Sequence, residues 1–135
     1  MARSVMTYGE SSLFLSNDFQ ESTDYNDFKY DLAALICSKY KSFDNIAQEG
    51  RYYDREGGII AENQYCYIVT SVYFDIVSVN FCVKYEAFAR GKDGIAEAFI
   101  HKIQSNVIKL IKEAGYNVLM RTATFSNGES IFSQA

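Results

Sequence analysis

The sequence predicts one α+β domain over residues 1–135. It reads as an antiparallel sheet of four or five strands with two amphipathic helices on one face, in the order α-β-β-β-α-β-β. Three observations carry this. Apolar residues recur at three- and four-residue spacing in two separate stretches, 23–40 and 95–114. Between them the period switches to two. The chain has no Pro, so every backbone N–H is available to helices and ladders.

Residues 1–21 are polar and mixed, and Ser12-Leu13-Phe14-Leu15 fits either a short strand or a docking arm. In 23–40, Phe28, Leu32, Leu35, Ile36 and Tyr40 mark the buried side of the first helix. Thr23 or Asp24 caps its start, and Asp24 and Asp27 suit the positive end of its dipole. A polar connection follows over 41–58, containing Arg51-Tyr52-Tyr53-Asp54-Arg55-Glu56 and then Gly57-Gly58. Residues 58–61 read as a strand, 62–64 as a turn, 65–72 as a second strand and 73–75 as an aromatic bend. In 76–85, Val77, Val79, Phe81, Val83 and Tyr85 alternate with Ser78, Asn80, Cys82 and Lys84, the pattern of a half-buried central strand. The loop Arg90-Gly91-Lys92-Asp93-Gly94 leads to a second helix over 95–114. Its stripe is Ile95, Phe99, Ile103, Val107, Leu110 and Ile111, and Gly115 is its stop. Residues 116–125 form a strand, Asn127-Gly128 signals a hairpin, and 130–132 return.

Composition narrows the function classes. Apolar residues make up 48% and charged residues 22%, which suits a folded core rather than disorder. Cys37, Cys66 and Cys82 are odd in number, sit in apolar runs and form no CxxC pair, so reduced buried thiols and a cytoplasmic location are expected. No leader-like apolar stretch opens the chain, and no run approaches a membrane span, so no membrane partner is expected. The net charge is −4. Residues 1–83 carry six Lys and Arg against twelve Asp and Glu, and residues 84–135 carry seven against five. That balance argues against direct nucleic-acid binding.

Few residues point to chemistry. His101 is the single histidine, with Glu97 and Ser105 one helical turn away on either side, off the expected apolar stripe. One helix face cannot supply a triad and its oxyanion hole together, so an exposed surface cluster is expected. One His and three core-like Cys leave no closed zinc site, and no cofactor is expected. The Gly91-Lys92-Asp93-Gly94 loop opens a helix but matches neither phosphate-binding glycine spacing. Lys102, Lys109 and Lys112 read as the wet side of the second helix.

Two features look built for contact. Asp24, Asp27 and Asp31 fall at i, i+3 and i+7 on one side of the first helix, an acidic surface for a cationic partner. The weighed alternatives are a solvated helix face and a carboxylate magnesium site. The chain is also rich in aromatics, with eleven Tyr and ten Phe, and Arg51, Tyr52, Tyr53 and Arg55 offer a Tyr-bearing loop of the kind interfaces favour.

The segments DREGGIIAEN, SVYFDIVSVNF and TATFSNGESIF resemble a pattern in small accessory proteins of tailed bacteriophages: RE–x–x–I–x–EN, S–x–Y–x–x–VS and FSNGE. The acidic, aromatic first helix and Ser42-Phe43-Asp44 fit the same pattern. This chain departs from it at Phe74-Asp75, where a Cys-Gly pair is common, and in a longer 84–94 region. The resemblance supplies no catalytic residues. It implies a phage setting, in which small acidic accessory proteins act by binding host or defence proteins. The leading expectation is an accessory protein, not an enzyme, that binds such a protein in the host cytoplasm and inhibits or modulates a nucleic-acid-handling or defence enzyme. The alternatives are a metal-dependent phosphate-processing enzyme and a small-ligand sponge whose pocket forms in a homo-oligomer.

Overall fold

The computed structural model describes residues 9–16, 22–47, 57–124 and 130–133. Seven strands make one sheet: β1 (Glu10–Ser16), β2 (Asp44–Asn45), β3 (Gly57–Glu62), β4 (Cys66–Tyr73), β5 (Ile76–Val83), β6 (Val118–Thr124) and β7 (Ser130–Ser133). Their order is β2-β3-β4-β5-β1-β6-β7, and every neighbouring pair is antiparallel. The helices are α1 (Ser22–Lys39), α2 (Tyr85–Ala89) and α3 (Asp93–Glu113). The α+β class therefore stands, but the sheet has seven strands where periodicity indicated four or five. The two additions are β1 and the two-residue β2, both too short or too isolated to show a period.

The core lies between the sheet and the helices. Val77, Val79, Phe81 and Val83 face inward from the middle strand and are almost fully buried. The register sets Leu13 opposite Val79 and Leu15 opposite Val77, so β1 turns its two leucines to the same side. α1 packs over β3, and α3 packs over β1, β5 and β6. Phe28, Leu32, Ala33 and Ile36 of α1 share one cluster with Ile100, Ile103 and Val107 of α3.

The phase of α3 differs from the expected one. Ile95 is 69% exposed, and the buried line runs Ala96, Ile100, Ile103, Val107, Ile111. Two stripes compete on this helix. The one beginning at Ile95 and Phe99 is broken by Lys102 and Asn106, whereas the other stays apolar for four turns. Phe99 packs instead on the segment that follows α1: its ring stacks on Phe43 at 5.8 Å and meets Tyr40 edge-on at 5.7 Å. α2 was not expected either. Its end is closed by Lys92 N–H donating to the Ala87 carbonyl and Gly91 N–H to that of Phe88, so the Gly91 loop ends one helix just before α3 begins. At the end of α3, Tyr116 N–H donates to the Ile111 carbonyl and Gly115 N–H to that of Lys112, with Gly115 at φ 95°. This is the glycine stop read from the sequence.

The other face of the sheet carries Tyr67, Val69 and Ser71 of β4, Ile76, Ser78, Asn80 and Cys82 of β5, Glu10, Ser12, Phe14 and Ser16 of β1, and Met120 and Thr122 of β6. The β4–β5 turn holds Phe74 at φ 54°, 79% exposed. Few side chains other than Gly and Asn tolerate that conformation cheaply.

Two predictions follow from this packing. Phe81 is fully buried in the middle strand, so Phe81→Ala lowers unfolding free energy by about 3–5 kcal/mol in urea denaturation. A loss below ~1 kcal/mol would contradict its central role. The second concerns the thiols, all free. Burial raises Cys37, helped by Asp44, and raises Cys82, helped by Glu10; it pushes Cys66 up to about 12. Folding holds them protonated, so their contribution is intact below the unfolded thiol pKa near 8.5 and is lost as pH rises from there toward the folded values. Native protein reacts slowly with a thiol reagent at neutral pH, and its melting temperature falls steadily above pH ~9. Rapid reaction of Cys66 and Cys82, or a flat alkaline profile, would contradict this.

Candidate functional site: the groove beside the acidic helix face

α1 divides its residues between two environments. Phe28, Leu32, Ala33 and Ile36 are buried against the sheet, and Tyr25 donates its hydroxyl hydrogen to Thr70 Oγ1 at 3.0 Å, satisfying a fully buried threonine. On the outer side Asp27 and Asp31 are exposed one turn apart. Asp24 lies in the first turn of α1, but its side chain is outside the described residues. Arg51, Tyr52, Tyr53 and Arg55 also lie outside them. The structure thus brings together the two later aspartates of the expected contact surface. Lys29, between them in sequence, sits half-buried over the Tyr25 ring at 5.1 Å, and burial lowers its pKa.

Beside this acidic strip runs a groove of about 350 Å³. Phe28, Leu32 and Leu35 of α1 form one wall, and Leu110 and Ile111 of α3 with Ala114 just past its end form the other, with Tyr116 beyond. Phe28 and Tyr116 join the walls edge-to-face at 5.0 Å. Asp31 is the charged residue in the lining. Leu35 was expected on the buried stripe, yet it is 36% exposed. It and Leu110 are the sequence signals of the groove: each is apolar and lies to one side of its helix's tight core line, where packing leaves it on a wall rather than in the interior.

The His101 cluster is not the exposed surface group that the sequence suggested. Glu97 is buried and His101 half-buried. Glu97 lies directly over the backbone of Gly9, where a Cβ would come within 2.5 Å of its Cγ. Gly9 also sits at φ 115°, so only glycine fits there. Ser105 stays exposed and donates its hydroxyl hydrogen to the His101 backbone carbonyl at 3.1 Å, so it makes no relay with the imidazole through that bond. Next to this cluster the Gln104 amide donates to the carbonyls of Ser12 at 3.1 Å and Thr122 at 3.4 Å, tying α3 to β1 and β6. Burial lowers the His101 pKa; Glu97 works against that shift and Arg121 adds to it.

Among the described residues no three His, Cys, Asp or Glu side chains gather as a metal site requires, and no helix is long and apolar enough to cross a membrane. Asn63 Oδ1 accepts from the N–H groups of Tyr65 and Cys66 at 3.0 and 2.8 Å, which makes the Glu62-Asn63 pair a turn-former between β3 and β4.

His101 generates a pH prediction. Its folded pKa lies below its unfolded value of about 6.5, so its contribution to stability is present above that pH and is lost as pH falls through the folded pKa. The melting temperature of the wild type therefore drops on acidification below pH ~6.5, and His101→Gln shows a shallower drop. Equal slopes would show that the imidazole is not held neutral by the fold. The chain matches no protein-family model, no curated protein and no solved structure in comparisons with each.

Proposed function

We propose that the chain is a phage-type accessory protein that works by binding another protein, a host nucleic-acid-handling enzyme or a defence enzyme, which it inhibits or modulates. It engages that enzyme through the outer side of α1 and the groove beside it. The observation that carries this reading is the pairing of an open apolar groove with exposed carboxylates at its lip, Asp31 in the wall and Asp27 a turn before it. An apolar slot supplies area for an anchoring side chain, and the flanking charge selects a basic segment around that anchor and speeds encounter. A nucleic-acid-handling enzyme is rich in such segments, because its own ligand is an anion. The likeness of three segments to accessory phage proteins supplies the biological setting, and the Tyr52-Tyr53 loop remains part of the proposed contact.

The groove is also large enough for a small molecule, which keeps ligand sequestration as the second reading. A magnesium-dependent phosphate chemistry would draw on the same aspartates.

The test begins with capture of partners from a bacterial lysate and then measures affinity for the captured protein. Asp27→Asn with Asp31→Asn changes stability by no more than ~1 kcal/mol, since both side chains are exposed. The same pair weakens binding at low salt by roughly tenfold or more, and added salt weakens the wild-type complex in the same direction. Leu35→Ser weakens binding without changing its salt dependence. Unchanged affinity in all of these variants would move the contact away from α1, to the loop bearing Arg51 and Arg55. A saturable rise in melting temperature with magnesium alone would favour the phosphate-chemistry reading.

A further inference from the structure

The walls of the groove between α1 and α3 offer a guest side chains and no backbone partner. Phe28, Leu32 and Leu35 lie inside α1, and Leu110 and Ile111 inside α3, where N–H groups bond to carbonyls one turn back. Past the end of α3, Ala114 N–H donates to the Leu110 carbonyl and Tyr116 N–H to that of Ile111. A segment pressed into this groove in an extended form would bury its own N–H and C=O groups against apolar surface, which is costly unless they find partners. A helix brings its backbone bonds with it.

The lining has a matching repeat. On α1 it recurs at Phe28, Asp31, Leu32 and Leu35, the i, i+3, i+4, i+7 spacing whose ridges and grooves receive another helix. These residues span ~10 Å, or about two turns. The volume of about 350 Å³ has room for roughly two side chains of benzene size. A helix supplies such a pair from positions one turn apart.

Charge sets the sign of the guest. Asp27 and Asp31 are exposed one turn apart, and Tyr30, 36% exposed, adds a ring face that a cation can sit on. Across the groove, Lys109 and Glu113 are exposed one turn apart on α3 and cancel in sum. The mouth is therefore acidic, and a basic flank complements it.

We infer that the occupant of the groove is an amphipathic helix of the partner, an assignment that rests on the groove being a protein-binding site. Large apolar residues at i and i+4 of that helix seat between the walls. Lys or Arg along one flank meets Asp27 and Asp31.

Synthetic peptides of about 16 residues, long enough to hold a partial helix in water, test this by fluorescence anisotropy against the full chain at low salt. The first carries Leu at helical spacing on one face and Lys on its flank. The second has two central residues replaced by Pro. The third has every Lys replaced by Glu. The first binds saturably and gains helical circular dichroism on binding, while the other two bind more weakly by roughly tenfold or more. Leu35→Ser and the pair Asp27→Asn with Asp31→Asn, each keeping the wild-type spectrum, weaken the first peptide. The helical guest is overturned by equal binding of the Pro peptide, by binding without a gain of helix, or by no saturable binding of the first peptide at millimolar concentration. Affinity unchanged in Leu35→Ser overturns it too, because the peptide would then lie elsewhere. If a partner captured from lysate loses affinity in the same variants while the peptides fail, the groove remains a protein contact and only its helical guest is withdrawn. Partner binding that ignores both variants ends the groove reading itself.

Discussion

The insertion of β1 between β5 and β6 is the constraint on which the rest of the architecture depends. β4 and β5 form a hairpin with β3 beside it, and β6 and β7 form another antiparallel pair at the far end of the chain. Neither set contacts the other as a ladder. β1 joins them, pairing along its whole length with β5 on one side and along most of it with β6 on the other. Leu13 and Leu15 then complete the floor beneath α3, and Gln104 reaches down to hold a carbonyl on each of β1 and β6. Gly9 is forced to be glycine by the same junction, because Glu97 occupies the space above it. With α3 fixed over β1 and α1 fixed over β3, the two helices meet only partway, and the groove is what their walls leave open.

Much of this was legible in the sequence where the signal is local. The alternation around Phe81, the helical spacing of Phe28, Leu32 and Ile36, and the glycine stop at Gly115 each depend on neighbours within a few residues. What escaped was set by distant parts of the chain. Ser12-Leu13-Phe14-Leu15 could not be told from an arm because three apolar residues say nothing about whether a sheet has room for them. The choice between two stripes on α3 depends on where β1 and β5 lie, so Ile95 was misplaced and Glu97 was taken as exposed. Leu35 shows the same limit at the groove: periodicity gives its side of the helix but not whether a neighbouring wall closes over it. The aspartates were legible because charge needs no packing context to be noticed.

Two side-chain devices set the hairpins of the sheet. Asn63 accepts two backbone N–H bonds and so sets the β3–β4 turn. Ser71 and Ser78 are direct partners across the next hairpin. The turn between them places Phe74, an aromatic residue, in a left-handed conformation where a smaller residue would sit without strain.

The sheet's outermost strands have a consequence of their own. β2 contributes only two residues at one margin and β7 only four at the other. A long bare margin would template further strands and invite open-ended polymerisation, the route to fibres. Among the described residues β2 pairs with only two residues of β3, and β7 with only four of β6. The remaining lengths of β3 and β6 are therefore the places where a chain rich in tyrosine and phenylalanine and free of proline most needs protection against an added strand.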